Sequence, residues 1–248
     1  MLKDEANSAR FIKTGMIVSL IGALVVVLAG YAYQWGWWGI RFGFQIIPWG
    51  TGAAVLGGVI AAIGVIKHKS KSTPQIIMGS TGILIAIIAL ANLGYWYNER
   101  SQGYPPIHDI STNVENPPKF VAIAPLRKDA SNPTPYSGEE TASQQKEFYS
   151  GLEPLTLSLS YDDAFKIAVT ATEKMPWEIV DINKDEGRIE AFHKLAWFGF
   201  IDDVVIRVDT TATGSIVDIR SKSRIGRGDL GVNAKRIKSF KEKFNSLK

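Results

Sequence analysis

Apolar and polar positions follow two different layouts along this chain. Before residue 98, three stretches contain no Asp, Glu, Lys, Arg or His: 14–40, 42–66 and 72–98, of 27, 25 and 27 residues. A helix needs about 20 mainly apolar residues to cross the hydrocarbon of a bilayer. A core helix of a soluble protein keeps a polar face instead. The pattern predicts spanning helices at about 14–35, 46–66 and 76–97. The first is read as a retained helix, not a cleaved leader. Met16–Gly30 runs into Tyr31, Tyr33, Trp35, Trp37 and Trp38, with no small-x-small site in a polar setting.

Small residues recur every four positions as Gly15, Ser19 and Ala23, and as Ala53, Gly57 and Ala61. Such stripes let helices approach closely. The expectation is packing of the first two helices as a hairpin, with docking of another membrane protein as the alternative. Polar groups in the spans are few, among them Ser19, Thr51, Ser80, Thr81 and Asn92, and none is ionisable. Pumps and channels usually keep charges there, which argues against transport.

After residue 98 the layout changes. Residues 99–150 hold seven of the eleven prolines and read as a linker, extended or turn-rich, with 128–145 loosely attached. From 151 onward the periods are those of a small α+β domain. Leu155–Leu159 alternates as a strand. Ser160 caps a helix whose apolar face is Ala164, Phe165, Ala168, Val169 and Thr172, with Asp162 and Asp163 in its first turn. Trp177–Ile182 and Arg188–Leu195 form a hairpin around Asp185–Gly187, and Phe200–Asp209 and Ser215–Ser221 form a second around Ala212–Ser215. Ile237, Phe240 and Phe244 stripe a last helix at about 232–246. The predicted fold is a three-helix transmembrane region (1–98), a Pro-rich linker (99–150) and an α+β extracytoplasmic domain (151–248), an antiparallel sheet with two helices on one face.

Charge fixes the orientation. Lys3, Arg10 and Lys13 precede the first span, and Lys67, Lys69 and Lys71 lie between the second and third; the other side has Arg41 and Arg100. Six against two places the N-terminus in the cytoplasm. Three spans then put the C-terminal domain outside, in the periplasm if the membrane is a bacterial inner membrane. Residues 1–150 hold 12 Lys and Arg against 9 Asp and Glu; residues 151–248 hold 16 against 15. That balance argues against a nucleic-acid partner. The chain has no cysteine, which excludes disulfides and thiol chemistry.

Two segments carry a family resemblance. Phe200, Asp202, Asp203 and Val204 form one motif. Arg220, Ser221, Ser223, Arg224, Gly226, Asp229, Gly231, Asn233, Arg236 and Ile237 form the second. Together with residues 105–112 and Asn116–Phe120 they resemble domain-of-unknown-function family 1499, of bacterial envelope proteins and plastids. The resemblance covers roughly 104–248, and some members have three preceding spans. It implies a fold and no assigned chemistry.

Gly226, Gly228 and Gly231 spell a G-x-G-x-x-G, but no βαβ unit or later acid supports a dinucleotide, so they read as a tight turn. Residues 220–248 hold ten Lys and Arg against two acids. Arg220, Ser221, Ser223, Arg224 and Asn233 could bind an anion or a partner before the last helix. The competing reading is an internal network, with Asp202 and Asp203 accepting from Arg220 or Arg224 and Asp229 or Asn233 capping the helix. Asp202 and Asp203 point to opposite faces of a strand, poor geometry for an acid/base pair. His68, His108 and His193 lack metal-ligand spacing, and no metal or cofactor is expected. Trp197, Phe198 and Phe200 belong to an apolar site or to core.

These features favour a non-catalytic inner-membrane accessory or assembly factor, embedded in the lipid bilayer and binding another membrane or periplasmic protein. The alternative is a binding domain for an anionic lipid or small metabolite. An envelope enzyme comes third.

Overall fold

The computed structural model describes residues 2–68 and 72–248. The chain divides into two compact units: Met1–Gln102 with Trp197–Gly199, and Gly103–Ala196 with Phe200–Lys248.

The first unit is built on α1 (Leu2–Gln34), α2 (Ile40–Lys67) and α3 (Thr73–Ser101). All three are long and apolar enough to cross a membrane. Each outruns its predicted span, because helical hydrogen bonding continues into the polar flanks after the apolar pattern stops. Lys69 and Lys71, counted for orientation, lie outside the described residues.

Small residues set the helix packing. A Cβ on Gly15 would stand 2.3 Å from the Ala61 amide nitrogen, one on Gly22 2.3 Å from that of Ala54, and one on Gly57 2.3 Å from that of Ser19. The Ser19 hydroxyl donates to the Ala54 carbonyl at 3.0 Å. The working stripe is therefore Gly15, Ser19 and Gly22 against Gly50, Ala54, Gly57 and Ala61. Ala23 and Ala53, expected in it, are only half-buried. A strict four-residue repeat drifts off a helix of 3.6 residues per turn, so the contact line alternates steps of three and four. α3 packs through Gly79, Gly82, Ala86 and Ala89.

Trp197–Gly199 belongs to this unit. The Trp197 indole donates to the Val27 carbonyl at 2.9 Å, the Gln34 amide donates to the Trp197 carbonyl at 2.8 Å, and Phe198 stacks on Phe44 at 4.7 Å. The aromatics at 197 and 198 pack on helices, not in the domain core.

The second unit holds β1 (Asp109–Ser111), a 3-10 turn (Ala124–Arg127), α4 (Glu139–Phe148), β2 (Leu155–Leu157), α5 (Tyr161–Glu173), β3 (Glu178–Asn183), β4 (Arg188–Lys194), β5 (Ile201–Thr211), β6 (Gly214–Ser223) and α6 (Val232–Asn245). The antiparallel sheet runs β1-β6-β5-β4-β3, with β2 also paired along β6. The Ser160 hydroxyl caps α5 by accepting from the Asp163 amide. α5 and α6 cover one face, over Ile189, Val204, Ile206, Val208, Val217 and Ile219.

The segment 99–150 departs from the linker reading. It supplies β1 and α4, and it buries Phe120 and Ile123 against Val205 on the second face of the sheet. The stretch 128–145, read as loosely attached, enters α4, which is tied to β1: the Gln145 side chain accepts from the Ser111 amide at 3.0 Å and donates to the Ser111 carbonyl at 2.6 Å. Proline forbids continuous helix or ladder, but an extended Pro-rich chain can still pack, and its carbonyls are free to accept hydrogen bonds.

Candidate functional site

The period of two along β5 and β6 sorts the motif residues onto two faces. Asp202 pairs with Ser223, Asp203 with Lys222 and Val205 with Arg220 in the β5–β6 register.

On the helix face, Asp202 meets Arg236 of α6 at 2.7 Å. Asn233 accepts from the Ser221 hydroxyl at 2.6 Å and donates to the Ser223 hydroxyl at 3.0 Å. Arg236 also donates to Ser221. The Asp229 carboxylate accepts from the amides of Gly231 at 2.9 Å and Asn233 at 2.8 Å. The N–H groups that open α6 thus face the chain's own carboxylate. Burial raises the Asp229 pKa, opposed by those amide hydrogen bonds. Gly226 and Gly231 take positive φ, as a tight turn requires. His193 is held below its ordinary pKa by burial and the Arg236 charge, with Asp202 opposing.

On the other face lies a buried ionic layer beneath residues 113–137, here called the strap. Arg220 is bidentate on Asp109, at 2.8 and 3.0 Å, and Lys222 reaches the same carboxylate at 3.0 Å. Asp203 takes Arg224 at 2.8 Å and Arg127 of the 3-10 turn. Four cations converge on two carboxylates. Their remaining donors go largely to strap carbonyls. Arg220 donates to those of Pro118 and Thr134, Lys222 to that of Pro135, Arg127 to that of Asn132 and Arg224 to that of Leu126. The Arg220 guanidinium also lies between the rings of Phe120 and Tyr136, 4.9 and 5.4 Å from their centroids. Glu190, fully buried, accepts from the amides of Val121, Ala122 and Ile123 at 2.8–3.0 Å and pairs with Arg188.

Burial alone would raise the Asp109 pKa. The Arg220 hydrogen bonds and charge, then those of Lys222, overcome it and hold the carboxyl below its ordinary value. Burial pulls the Lys222 ammonium down, with Asp109 opposing.

The five residues considered for an anion therefore divide. Ser221, Ser223 and Asn233 meet on the helix face; Arg220 and Arg224 lie on the strap face, 2% and 16% exposed at their side chains. One ligand touching all five would have to pass through the sheet. Arg224 does meet Asp203, but Arg220 turns to Asp109, because Val205 stands opposite it on β5. Asp109, Lys222, Arg127 and Glu190 are further members of the layer. Arg220, Lys222 and Arg224 sit at every second position along the end of β6 and the residue after it, a pattern that marks one cationic face. Arg127 carries no such signal and joins only through the fold.

A groove of about 280 Å³ opens on this face beside Val205, flanked by Arg188 and Arg207. Both already pair with carboxylates, Arg188 with Glu186 and Glu190, Arg207 with Asp209 and Asp218. Among the described residues, no group of three His, Asp or Glu side chains could hold a metal ion.

The family model described as "Protein of unknown function (DUF1499)" matches residues 109–244, more than half of the chain, and the chain belongs to that family. The matched range begins at Asp109, so it takes in the strap and the ionic layer with the sheet. No curated protein and no solved structure matches the chain.

Proposed function

We propose that this chain is an integral inner-membrane protein, N-terminus in the cytoplasm, with its DUF1499 domain in the periplasm acting as a non-catalytic accessory or assembly factor that binds another envelope protein. The orientation is supported by six basic residues against two in the flanking loops. The observation that carries the non-catalytic reading is the engagement of the motif residues with one another. Asp109, Asp202, Asp203, Arg220, Lys222, Arg224 and Arg236 all pair inside the domain. A catalytic acid, base or anion clamp needs a free face toward its substrate.

A reporter fused after Lys248 that works only outside the cytoplasm will be active; one that works only in the cytoplasm will be silent. The opposite result ends the orientation. Crosslinking and pull-down of the full-length protein from its native membrane will recover a reproducible envelope partner. Recovery of nothing above an unrelated three-span control removes the protein-binding reading.

One feature favours a second reading, a binding domain for an anionic lipid or small metabolite. The second unit has 20 Lys and Arg against 21 Asp and Glu, yet 227–248 has seven against two. Lys235, Lys238 and Lys248 among these are exposed. A native mass spectrum of the full-length protein carrying discrete anionic adducts would select this reading.

A further inference from the structure

We propose that β3 is the edge at which the partner binds: an extended segment of another envelope protein, alternating apolar and basic side chains, adds beside it as one more strand. The proposal deepens the protein-binding reading above and rests on it.

The two ends of the sheet path are finished differently. At β1 the Ser111 amide and carbonyl are both taken by the Gln145 side chain. β3 ends the path on the other side, and among the described residues nothing outside β4 bonds to the backbone of Glu178–Ile182. An edge strand turns alternate amides and carbonyls away from its neighbour, a template for another chain. Natural edges are often guarded by Lys or Pro within the strand, and β3 has neither. Its bulge between Ile179 and Asp181 serves the domain's own packing, with Val180 set against the Phe120, Ile123 and Val205 patch.

The extra residue of the bulge also sorts the side chains. Ile179 and Ile182 stand opposite Ala191 and Ile189 on the helix face, yet they are 36% and 43% exposed. Glu178 and Asp181 stand opposite Phe192 and Glu190 on the strap face. Asp181 pairs with Arg188, while Glu178 is exposed and, among the described residues, has no ion pair. Residues 173–186 hold five Asp and Glu against two Lys, in a unit whose charges otherwise nearly balance.

A strand laid along β3 therefore meets isoleucines on one face and carboxylates on the other. Cross-strand pairs of opposite charge and of apolar groups stabilise a ladder, so basic residues toward the strap face and apolar ones toward the helix face complement it. A second copy fits poorly. Its own β3 would bring Glu178 and Asp181 against like carboxylates.

The full-length protein is held in phosphatidylcholine nanodiscs, whose neutral lipid does not attract lysine, and titrated with a labelled peptide of alternating valine and lysine. It will bind about tenfold or more tightly than the same peptide N-methylated at every second residue, which cannot extend a ladder, and than a valine–glutamate counterpart. Hydrogen exchange of the Glu178–Ile182 amides will slow in the complex, and that of Asp109–Ser111 will not. Glu178→Lys and Ile182→Lys, both at exposed positions, will each weaken binding about tenfold with melting unchanged. Equal binding of the N-methylated peptide, protection elsewhere than on β3, or parent-like binding by both variants overturns the proposal. Disulfide-linked dimers of Ile182→Cys would name a second copy as the occupant and overturn it too. In native membranes, crosslinking by the full chain will recover an envelope partner that Ile182→Lys loses. A partner recovered equally by that variant overturns the edge and leaves the protein-binding reading standing. Recovery of no partner by the parent chain removes that reading, and the edge with it.

Discussion

The two faces of the sheet are closed by opposite means. On one, α5 and α6 bury aliphatic and aromatic side chains such as Ile219, Ile237, Phe240 and Phe244. On the other, a proline-rich strap closes over Arg220, Lys222, Asp109, Asp203 and Glu190, with Phe120, Ile123 and Val205 as a small apolar patch. The helix face gains from removing apolar area from water and tolerates modest changes in shape. The strap face gains little from burying ions as such, because desolvation offsets most of their attraction. It becomes sensitive to the loss of any one partner, and it ties the strap to one place by hydrogen-bond geometry. A packed core forgives; a closed ionic layer does not.

The largest expected effect separates the covered sheet from the bare one. A fragment of residues 103–248 will unfold cooperatively in thermal melts. One of residues 151–248, which lacks β1, Asp109 and the strap, will not, because it leaves Arg220 and Lys222 without their acceptors. Cooperative melting of the shorter fragment would show that the strap is dispensable.

Next comes the hub of the layer. Asp109→Ala strands two buried cations and will cost about 3–5 kcal/mol. On the helix face Ile237→Val will cost only about 0.5–1.5 kcal/mol. Both are read by hydrogen exchange of β6 amides in the full chain; equal losses would erase the contrast between the faces.

Arg224→Ala sits between these limits. Asp203 keeps Arg127, so the loss will be about 1–2 kcal/mol, and it will not add to that of Asp203→Asn, since the two residues share one interaction. Strict additivity in a double-mutant cycle would mean that the pair is not coupled.

The smallest effects are those of pH. The folded pKa of Asp109 is depressed, so its contribution is present above the ordinary carboxylate range and is lost as pH falls through the lower folded value. His193 is also depressed, below 6.5, so it favours the fold while neutral. Its stabilisation falls as pH drops from about that value toward the folded one. In acid titrations followed by thermal melting, His193→Gln will flatten the milder limb and leave the steeper one at low pH. A milder limb unchanged by that substitution would assign it elsewhere.

Particular residues show what was legible beforehand. The unbroken apolar runs marked three long helices, each long and apolar enough to cross a membrane. Ser160, with Asp162 and Asp163 behind it, marked the start of α5, and Ile237, Phe240 and Phe244 gave α6 its buried face. The second hairpin followed from the turn signal at Ala212–Ser215. Gly22 and Ala54 were missed in the helix contact because a four-residue repeat only approximates the helical period. β1, the 3-10 turn and α4 were missed because prolines dominate the segment and hide its ordered elements.

What the sequence determined by itself is local: apolar run length, helical and strand periods, caps, turns and the family motifs. Each depends on neighbours a few residues away, where backbone geometry is nearly fixed. Arg224 and Asp203 meet within one hairpin, as expected; tertiary structure alone decided the partners of Arg220, Lys222 and Arg127. Arg220 finds Asp109 across 111 positions of chain and Arg127 finds Asp203 across 76, and neither pairing is written in any local pattern. Burial makes those choices, because an ion removed from water must be met by whichever opposite charge and carbonyls the fold brings to it.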